Sequence, residues 1–230
     1  LNILKNVSLI ACEDTRQTRK ITSTFEFKNN LISFNKLNSK KKIPKMINHL
    51  NLGKSIALVS DAGMPSICDP GEDLIKEARS HGISVICIPG PCAAITALVS
   101  SGLPSSKFIF EGFLPKKNSE REKILLEIGA NDKTTILFES PNRLKNLLIK
   151  LKEICGGERE IIVSRELTKK YEENIGNNIE EVISYFEKRN VMGEITLVIK
   201  GTKKTNQNDS YNTQALKKDL DELTKAGLNL

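Results

Sequence analysis

The sequence predicts an α/β protein with mainly parallel strands. Three features carry that expectation: short apolar runs of strand length, helical patterns lying between them, and turns of small residues where the runs end. The runs are Val7 to Cys12, Ser55 to Ser60, Ile83 to Ile88, Phe108 to Phe113, Thr134 to Glu139, Glu160 to Ser164 and Ile195 to Lys200. Between most of them, Lys42 to Leu52, Glu72 to His81, Ala93 to Ser101, Ser119 to Ile128, Asn142 to Ile154 and Asn178 to Lys188 place apolar residues at three-to-four spacing, the mark of a helix with one buried face. Gly102-Leu103-Pro104-Ser105-Ser106 stops a helix and suits a linker, so two α/β domains are expected over 1–106 and 107–201. From Thr202 to Thr213 the chain is rich in lysine, asparagine, glutamine and serine and cannot join a core. Residues 202–230 are therefore expected to form a flexible linker and a C-terminal helix striped by Leu216, Leu220 and Leu223.

Composition narrows the class. The apolar fraction of 39% over 230 residues supports a sizeable core. Lysine and arginine number 35 against 28 acidic residues, a formal charge of +7, which favours a polyanionic partner; a generally lysine-rich proteome gives the same excess. Charge is nearly balanced beyond Thr202, so the excess sits on the folded body. Cys12, Cys68, Cys87, Cys92 and Cys155 are odd in number and never form Cys-x-x-Cys, which argues against a disulfide framework or a zinc knuckle and fits a reducing cytoplasm. No apolar run approaches the ~20 residues of a membrane span.

Polar clusters then fall where several of the runs end, the edge at which open α/β sheets bind ligands. In Ser60-Asp61-Ala62-Gly63-Met64-Pro65-Ser66, small side chains let backbone groups reach a ligand and Asp61 can accept from hydroxyls or amines; ordering of the turn explains Asp61 and Asp69 equally well. Pro89-Gly90-Pro91-Cys92-Ala93-Ala94-Ile95 repeats the logic with a rigid turn and a helix start, but lacks the lysine of a phosphate-binding loop and the Gly-x-Gly-x-x-Gly of a dinucleotide fold. Glu13-Asp14-Thr15-Arg16-Gln17-Thr18-Arg19 places two carboxylates and two arginines directly after a strand. The arginines suit phosphate and a carboxylate there can attract a cation or accept a hydroxyl proton, while helix capping by Asp14 or Thr15 is the competing explanation. Phe138-Glu139-Ser140-Pro141-Asn142-Arg143 and Arg165-Glu166-Leu167-Thr168-Lys169 add further charge at strand ends.

Taken in order, Ala11-Cys12-Glu13-Asp14-Thr15-Arg16, Leu58-Val59-Ser60-Asp61-Ala62-Gly63-Met64-Pro65, Asp69-Pro70-Gly71, Pro89-Gly90-Pro91-Cys92-Ala93-Ala94, Glu111-Gly112-Phe113-Leu114-Pro115 and Arg165-Glu166-Leu167-Thr168-Lys169 resemble the ribosomal RNA small subunit methyltransferase I family of the tetrapyrrole methylase superfamily. The resemblance implies a two-domain tetrapyrrole methylase-like α/β fold, a homodimer, and S-adenosylmethionine bound in a cleft between the domains. It also implies 2′-O-methylation of a cytidine ribose in the decoding region of small-subunit rRNA. By matched motif, Asp61, Ala62, Gly63, Pro65, Ser66, Pro91, Ala93, Ala94, Ile95, Phe138, Glu139, Ser140, Gly193, Glu194 and Thr196 line the cofactor cleft. Glu13 and Asp14 are the candidate catalytic bases, and Arg16, Arg19, Arg143, Arg165 and Lys169 the candidate contacts to rRNA phosphates. No metal is called for. The family pattern opens with a strand and a Thr-Pro-Ile-Gly-Asn loop, on the order of one βα unit, that precedes the position matched by Leu1. Two rival expectations are a small-molecule methyltransferase of the tetrapyrrole type and a catalytically impaired ribosome-binding protein.

Overall fold

The computed structural model describes residues 1–202; the expected C-terminal helix, and all but the first residue of the expected linker, lie outside them. After a short helix α1 (Asn2–Asn6), strands β1 (Leu9–Cys12), β2 (Leu31–Ser33) and β3 (Ile56–Val59) form a parallel sheet in the order β2-β1-β3. Helix α2 (Thr15–Thr24) connects β1 to β2 and α3 (Ser39–Asn51) connects β2 to β3. Helix α4 (Glu72–Ser80) follows β3, and with α3 it buries Met46, Ile47, Leu74 and Ala78 against Ala11 and Phe34 on one face of the sheet. Each strand-to-strand link carries its helix across the sheet, which parallel pairing requires.

The second sheet is larger and mixed. It contains β4 (Phe108–Phe113), β5 (Thr134–Glu139), β6 (Glu160–Arg165), β7 (Glu173–Asn178) and β8 (Ile195–Ile199) in the order β4-β5-β8-β6-β7. Only β4 and β5 run parallel, joined through α6 (Asn118–Ala130); β8 lies antiparallel to both β5 and β6, and β7 antiparallel to β6. The expectation of mainly parallel strands therefore holds for the first sheet and fails for the second. An apolar run reports that both faces of a strand are buried, and β8 is buried at every position, but burial does not set the direction of its neighbours.

One face of this sheet is covered by α6, α7 (Pro141–Cys155) and α8 (Ile179–Glu187), which pack Leu125, Leu144, Leu147, Leu148, Leu151 and Val182 on Leu137, Val163 and Leu197. The other face receives α5 (Ala93–Ser101), whose Ala94, Ala97 and Leu98 pack on Ile136 and Val198. Alanines at the contact let the helix approach the sheet closely. Helix α5 thus precedes the glycine-proline linker in sequence but packs on the sheet that follows it.

The run Ile83 to Ile88 was expected as a strand and is not one: it pairs with no strand, and Ile86 is 78% exposed. Its composition favours a strand, but β-structure needs a hydrogen-bonded neighbour, and the described strands supply none to it. Two real strands escape the apolar pattern. β2 spans only three residues, and β7, Glu-Asn-Ile-Gly-Asn-Asn, is a polar edge held by β6 alone.

Candidate active site

The first sheet brings its polar clusters together at the carboxyl ends of β1 and β3. Asp14 begins α2 as its N-cap, its side chain accepting from the Arg16 backbone amide at 2.8 Å. The same carboxylate holds the Arg16 side chain, with Nη2 to Oδ2 at 2.7 Å and Nε 3.0 Å from each oxygen. The Arg16 guanidinium and amide pull the Asp14 carboxyl down to about 2, so it is a poor proton acceptor near neutral pH. Glu13 differs: burial raises its pKa, and the neighbouring carboxylates of Asp69 and Asp61 push the same way. Burial likewise raises Asp69, with Asp61 and, from the second sheet's side, Glu194 adding to it. The Asp14 amide faces Asp61 Oδ1 at 3.4 Å, tying the ends of β1 and β3 together. The adjacent carboxylates thus differ: Asp14 caps α2, while Glu13 takes no part in the cap and accepts from the Asp61 backbone.

The loop after β3 folds back on itself. Ser60 Oγ reaches the carbonyls of Ala62 and Gly63 at 3.3 Å, and Gly63 turns close to the Pro91 carbonyl, which brings the Asp61–Ser66 stretch beside the Pro89–Pro91 turn and the start of α5. The Ser66 hydroxyl is turned inward against Gly71. Farther along, Cys68 lies against Gly112, at the irregularity in β4 where φ is +63°; a Cβ there would sit 2.7 Å from the sulfur. This contact carries the loop of the first sheet onto the rim of the second.

On the second sheet, Phe113, Phe138, Thr196, Ser164 and Asn174 occupy one register row across all five strands. Phe138, Thr196 and Ser164 lie two positions along their strands from Ile136, Val198 and Ile162, which pack with α5, and because alternate residues share a face, the row sits on the α5 side. Phe138 packs edge-on to Phe110 with ring centroids 5.1 Å apart and against Phe113 at 5.6 Å. Ser164 Oγ donates to Asn174 at 2.6 Å. This row offers an aromatic wall continuing into hydroxyl groups. No local motif marks Ser164 or Asn174; pairing of Ser164 with Thr196, and of Asn174 with Ser164, brings them into the row.

Glu139, Ile195, Arg165 and Glu173 form the adjacent row and face the opposite side, toward α7 and α8. Glu139 is fully buried and ion-paired with Arg143, whose Nε lies 2.8 Å from Oε1 and whose Nη2 donates to Oε2 at 2.9 Å and to the Leu114 carbonyl at 3.0 Å. The Ser140 amide donates to Glu139 Oε1 at 2.7 Å. Arg165 is committed to Glu173, which also accepts from the Tyr185 hydroxyl, and to the Met192 carbonyl. Lys169 pairs with Glu166 and Glu194. Of the five basic residues expected to meet phosphate, the structure engages Arg143, Arg165 and Lys169 internally; Arg16 and Arg19 project from α2, Arg16 with its side chain 83% exposed while holding Asp14. A shallow depression of about 500 Å³ lined by Lys5, Ser8, Lys28 and Asn30 lies at the amino ends of β1 and β2, away from these clusters.

No three His, Cys, Asp or Glu side chains among the described residues are grouped to hold a metal ion, and no described helix is long and apolar enough to cross a membrane. The family model for tetrapyrrole (corrin/porphyrin) methylases matches residues 1–183. The chain is 44% identical to the ribosomal RNA small subunit methyltransferase I of Thermotoga maritima over 87% of its own length and 90% of that protein's. It is also 44% identical to the protein of that name from Bacillus subtilis, over 88% of this chain and 69% of the relative. Among solved structures, it is similar to a cobalt-precorrin-4 methyltransferase of cobalamin biosynthesis, with a TM-score of 0.63 at 12% identity over 86% of each chain. It is also similar to the uroporphyrin-III C-methyltransferase of Thermus thermophilus in complex with S-adenosylhomocysteine, with a TM-score of 0.56 at 13% identity over 86% of this chain and 87% of that one. At those identities the structures speak for the fold alone, while the family model and the relatives cover most of the chain: it belongs to the tetrapyrrole methylase family and, within it, to the ribosomal RNA small subunit methyltransferase I family.

Proposed function

We propose that this protein methylates small-subunit ribosomal RNA with S-adenosylmethionine, and that the acceptor is the 2′-hydroxyl of a cytidine ribose in the decoding region. The observation that carries the reading is the gathering of Glu13, Asp61 and Asp69 at the ligand edge of the first sheet, in a chain 44% identical to proteins named as methyltransferases of small-subunit ribosomal RNA. The cytidine, its 2′-oxygen and homodimeric action come from the family resemblance; the cytoplasmic setting comes from the cysteine pattern, and the division into domains from the linker at 102–106.

The residues present fit the cofactor. Carboxylates at Asp61 and Glu13 complement a cationic sulfonium and an amino group, the small residues Ala62, Gly63, Ala93 and Ala94 admit backbone contacts, and the Phe138–Thr196 row suits a flat base beside a ribose. When bound, S-adenosylmethionine supplies an electrophilic methyl group on sulfur. Glu13, whose pKa is raised by burial, would take the proton of the ribose hydroxyl and pass it to solvent, the methyl's bond to sulfur being exchanged for one to oxygen and the sulfur leaving as a neutral thioether; Asp14, held by Arg16, begins α2 next to Glu13. Orientation does the rest, since alignment of reactants can contribute ~7 kcal/mol or more. Arg16 and Arg19 are the side chains we assign to RNA phosphates, because they are exposed at the same edge.

The test is transfer of a labelled methyl group from S-adenosylmethionine to small ribosomal subunits lacking the modification, followed by digestion to nucleosides. Label recovered in 2′-O-methylcytidine is the expected result. Label in a base, or only in an added tetrapyrrole, overturns the assignment.

A further inference from the structure

Resting on that reading of the cofactor cleft, we infer that Glu166 is a positioning residue that sets the Met192–Thr196 segment, with Lys169 and Arg165 as its supports, so that the Arg-Glu-Leu-Thr-Lys motif serves the cofactor site from the end of the β6–β8 ladder rather than gripping RNA phosphate.

The ladder between β6 and β8 pairs Arg165 with Ile195 and would next pair Glu166 with Glu194. Half of that next step is made by the backbone: the Glu166 amide donates to the Glu194 carbonyl at 2.9 Å. Glu166 has φ +52°, which turns its chain away from β8, and its own side chain takes over as acceptor: Oε1 receives the Glu194 amide at 2.8 Å. A carboxylate thereby extends a strand pair past the point where the backbone diverges.

The surroundings hold that carboxylate in one place. Lys169 Nζ lies 2.9 Å from Glu166 Oε1 and 3.0 Å from Glu194 Oε2, and the Lys169 amide donates to the Glu166 carbonyl at 2.9 Å. Arg165 Nη1 donates to the Met192 carbonyl at 3.1 Å. Leu167 packs into the apolar cluster under α5, which fixes the motif to the cleft side of the sheet. Gly193 is the complementary feature: its φ is +89°, and a Cβ there would stand 2.5 Å from Glu166 Cγ, so the loop closes over the carboxylate only with glycine at that place. The Glu194 amide bond pulls the Glu166 carboxyl below its usual range, and the two carboxylates raise Lys169 although its burial works the other way. Thr196, in the row that runs from Phe138 to Ser164, is two residues beyond the clamped amide, at the second position of β8. A shift of the 192–194 turn is therefore delivered directly to Thr196.

Glu166→Ala removes the acceptor; Glu166→Gln keeps an acceptor for the Glu194 amide and loses the charge. Calorimetric titration of the full chain with S-adenosylhomocysteine should show about tenfold weaker binding for Glu166→Ala, the scale of one lost hydrogen bond, and recovery to within about threefold for Glu166→Gln. Hydrogen exchange at the Glu194 amide should quicken in the alanine variant and stay slow in the glutamine variant, while exchange in β5 is unchanged. Binding by Glu166→Ala as tight as by the unaltered chain, or equal loss in both variants with unaltered Glu194 exchange, overturns the clamp. An unaltered chain that binds no S-adenosylhomocysteine overturns the cofactor reading instead, and the clamp is then judged by Glu194 exchange alone. Should Glu166→Ala fail to fold, Lys169→Met provides the same readouts with Glu166 left in place and should weaken binding about threefold; no change in either readout counts against the device.

Discussion

The two sheets are built for different work. The second is covered on both faces, by three helices below and α5 above, and holds the larger apolar core, with Leu137, Leu144, Leu147, Val163 and Leu197 fully buried. The first has three short strands, a smaller cluster around Phe34 and Met46, and a helix α2 that buries threonines, Thr18 and Thr22, in place of aliphatic residues. Yet the carboxylates whose pKa values burial raises, Glu13 and Asp69, are both on the first. The larger apolar core lies with one sheet and the carboxylates raised by burial with the other, so mutations on the two sides should separate stability from activity.

The largest effect on stability is expected at Arg143. Removing it by Arg143→Ala leaves Glu139 buried without its counter-charge, which should cost about 3–5 kcal/mol in denaturant unfolding. A loss below about 1 kcal/mol, accompanied by weaker RNA binding, would return Arg143 to the phosphate-binding set.

On the other side of the cleft, Glu13→Gln should lower kcat about a hundredfold or more, if Glu13 takes the hydroxyl proton. Its effect on stability should have the opposite sign. A carboxyl whose pKa is raised on folding favours the folded state at low pH and loses that contribution as pH rises through the folded value, so at neutral pH the ionised Glu13 is a burden. The glutamine variant should therefore melt at or above the temperature of the unaltered chain at pH 7, with the advantage shrinking as pH falls toward the carboxylate range. A lower melting temperature with unchanged kcat would remove Glu13 from the chemistry.

Asp14 gives the contrasting slope. Its pKa drops on folding to about 2 from an ordinary 3.8, so whatever its pair with Arg16 contributes is present above the ordinary value and is lost as pH falls toward 2. Because both groups face solvent, Arg16→Ala should move the melting temperature little. RNA methylation should fall about tenfold and cofactor affinity stay within about twofold, a difference that separates a phosphate contact from a cofactor contact. Equal loss in both would contradict the phosphate role. The smallest effect is expected for Ile86→Ser: a side chain already 78% exposed should change stability by no more than about 0.5 kcal/mol, measured in the same denaturant series. A larger loss would show that the 83–88 segment is paired in solution.

Much of this was legible in the sequence because the signals are local. α5 and β5 take the bounds the apolar pattern assigns, since a helix ended by Gly102 and a strand buried on both faces each carry their own mark. Helix α2 was visible only as one of two explanations for Asp14, its segment being too polar to show a stripe. The 83–88 run shows the opposite failure, a strand-like composition for which the described strands provide no partner. At the site, a motif lists residues without saying which way they point. Phe138 and Glu139 are adjacent in one motif and lie on opposite faces of a sheet, the first toward α5 and the second beneath it against Arg143.

The sequence by itself determined the α/β class, the two groups of strands and the loops whose small residues and carboxylates form the ligand edge, because these follow from periodicity and from the backbone freedom of glycine and proline turns. Tertiary structure decided the directions of the second sheet's strands, the pairing that puts Ser164 beside Thr196, and the opposite pKa shifts of Glu13 and Asp14. Strand direction, cross-strand neighbours and the pKa of a carboxylate all depend on groups far away in the chain, and only the folded molecule brings those groups within reach of one another.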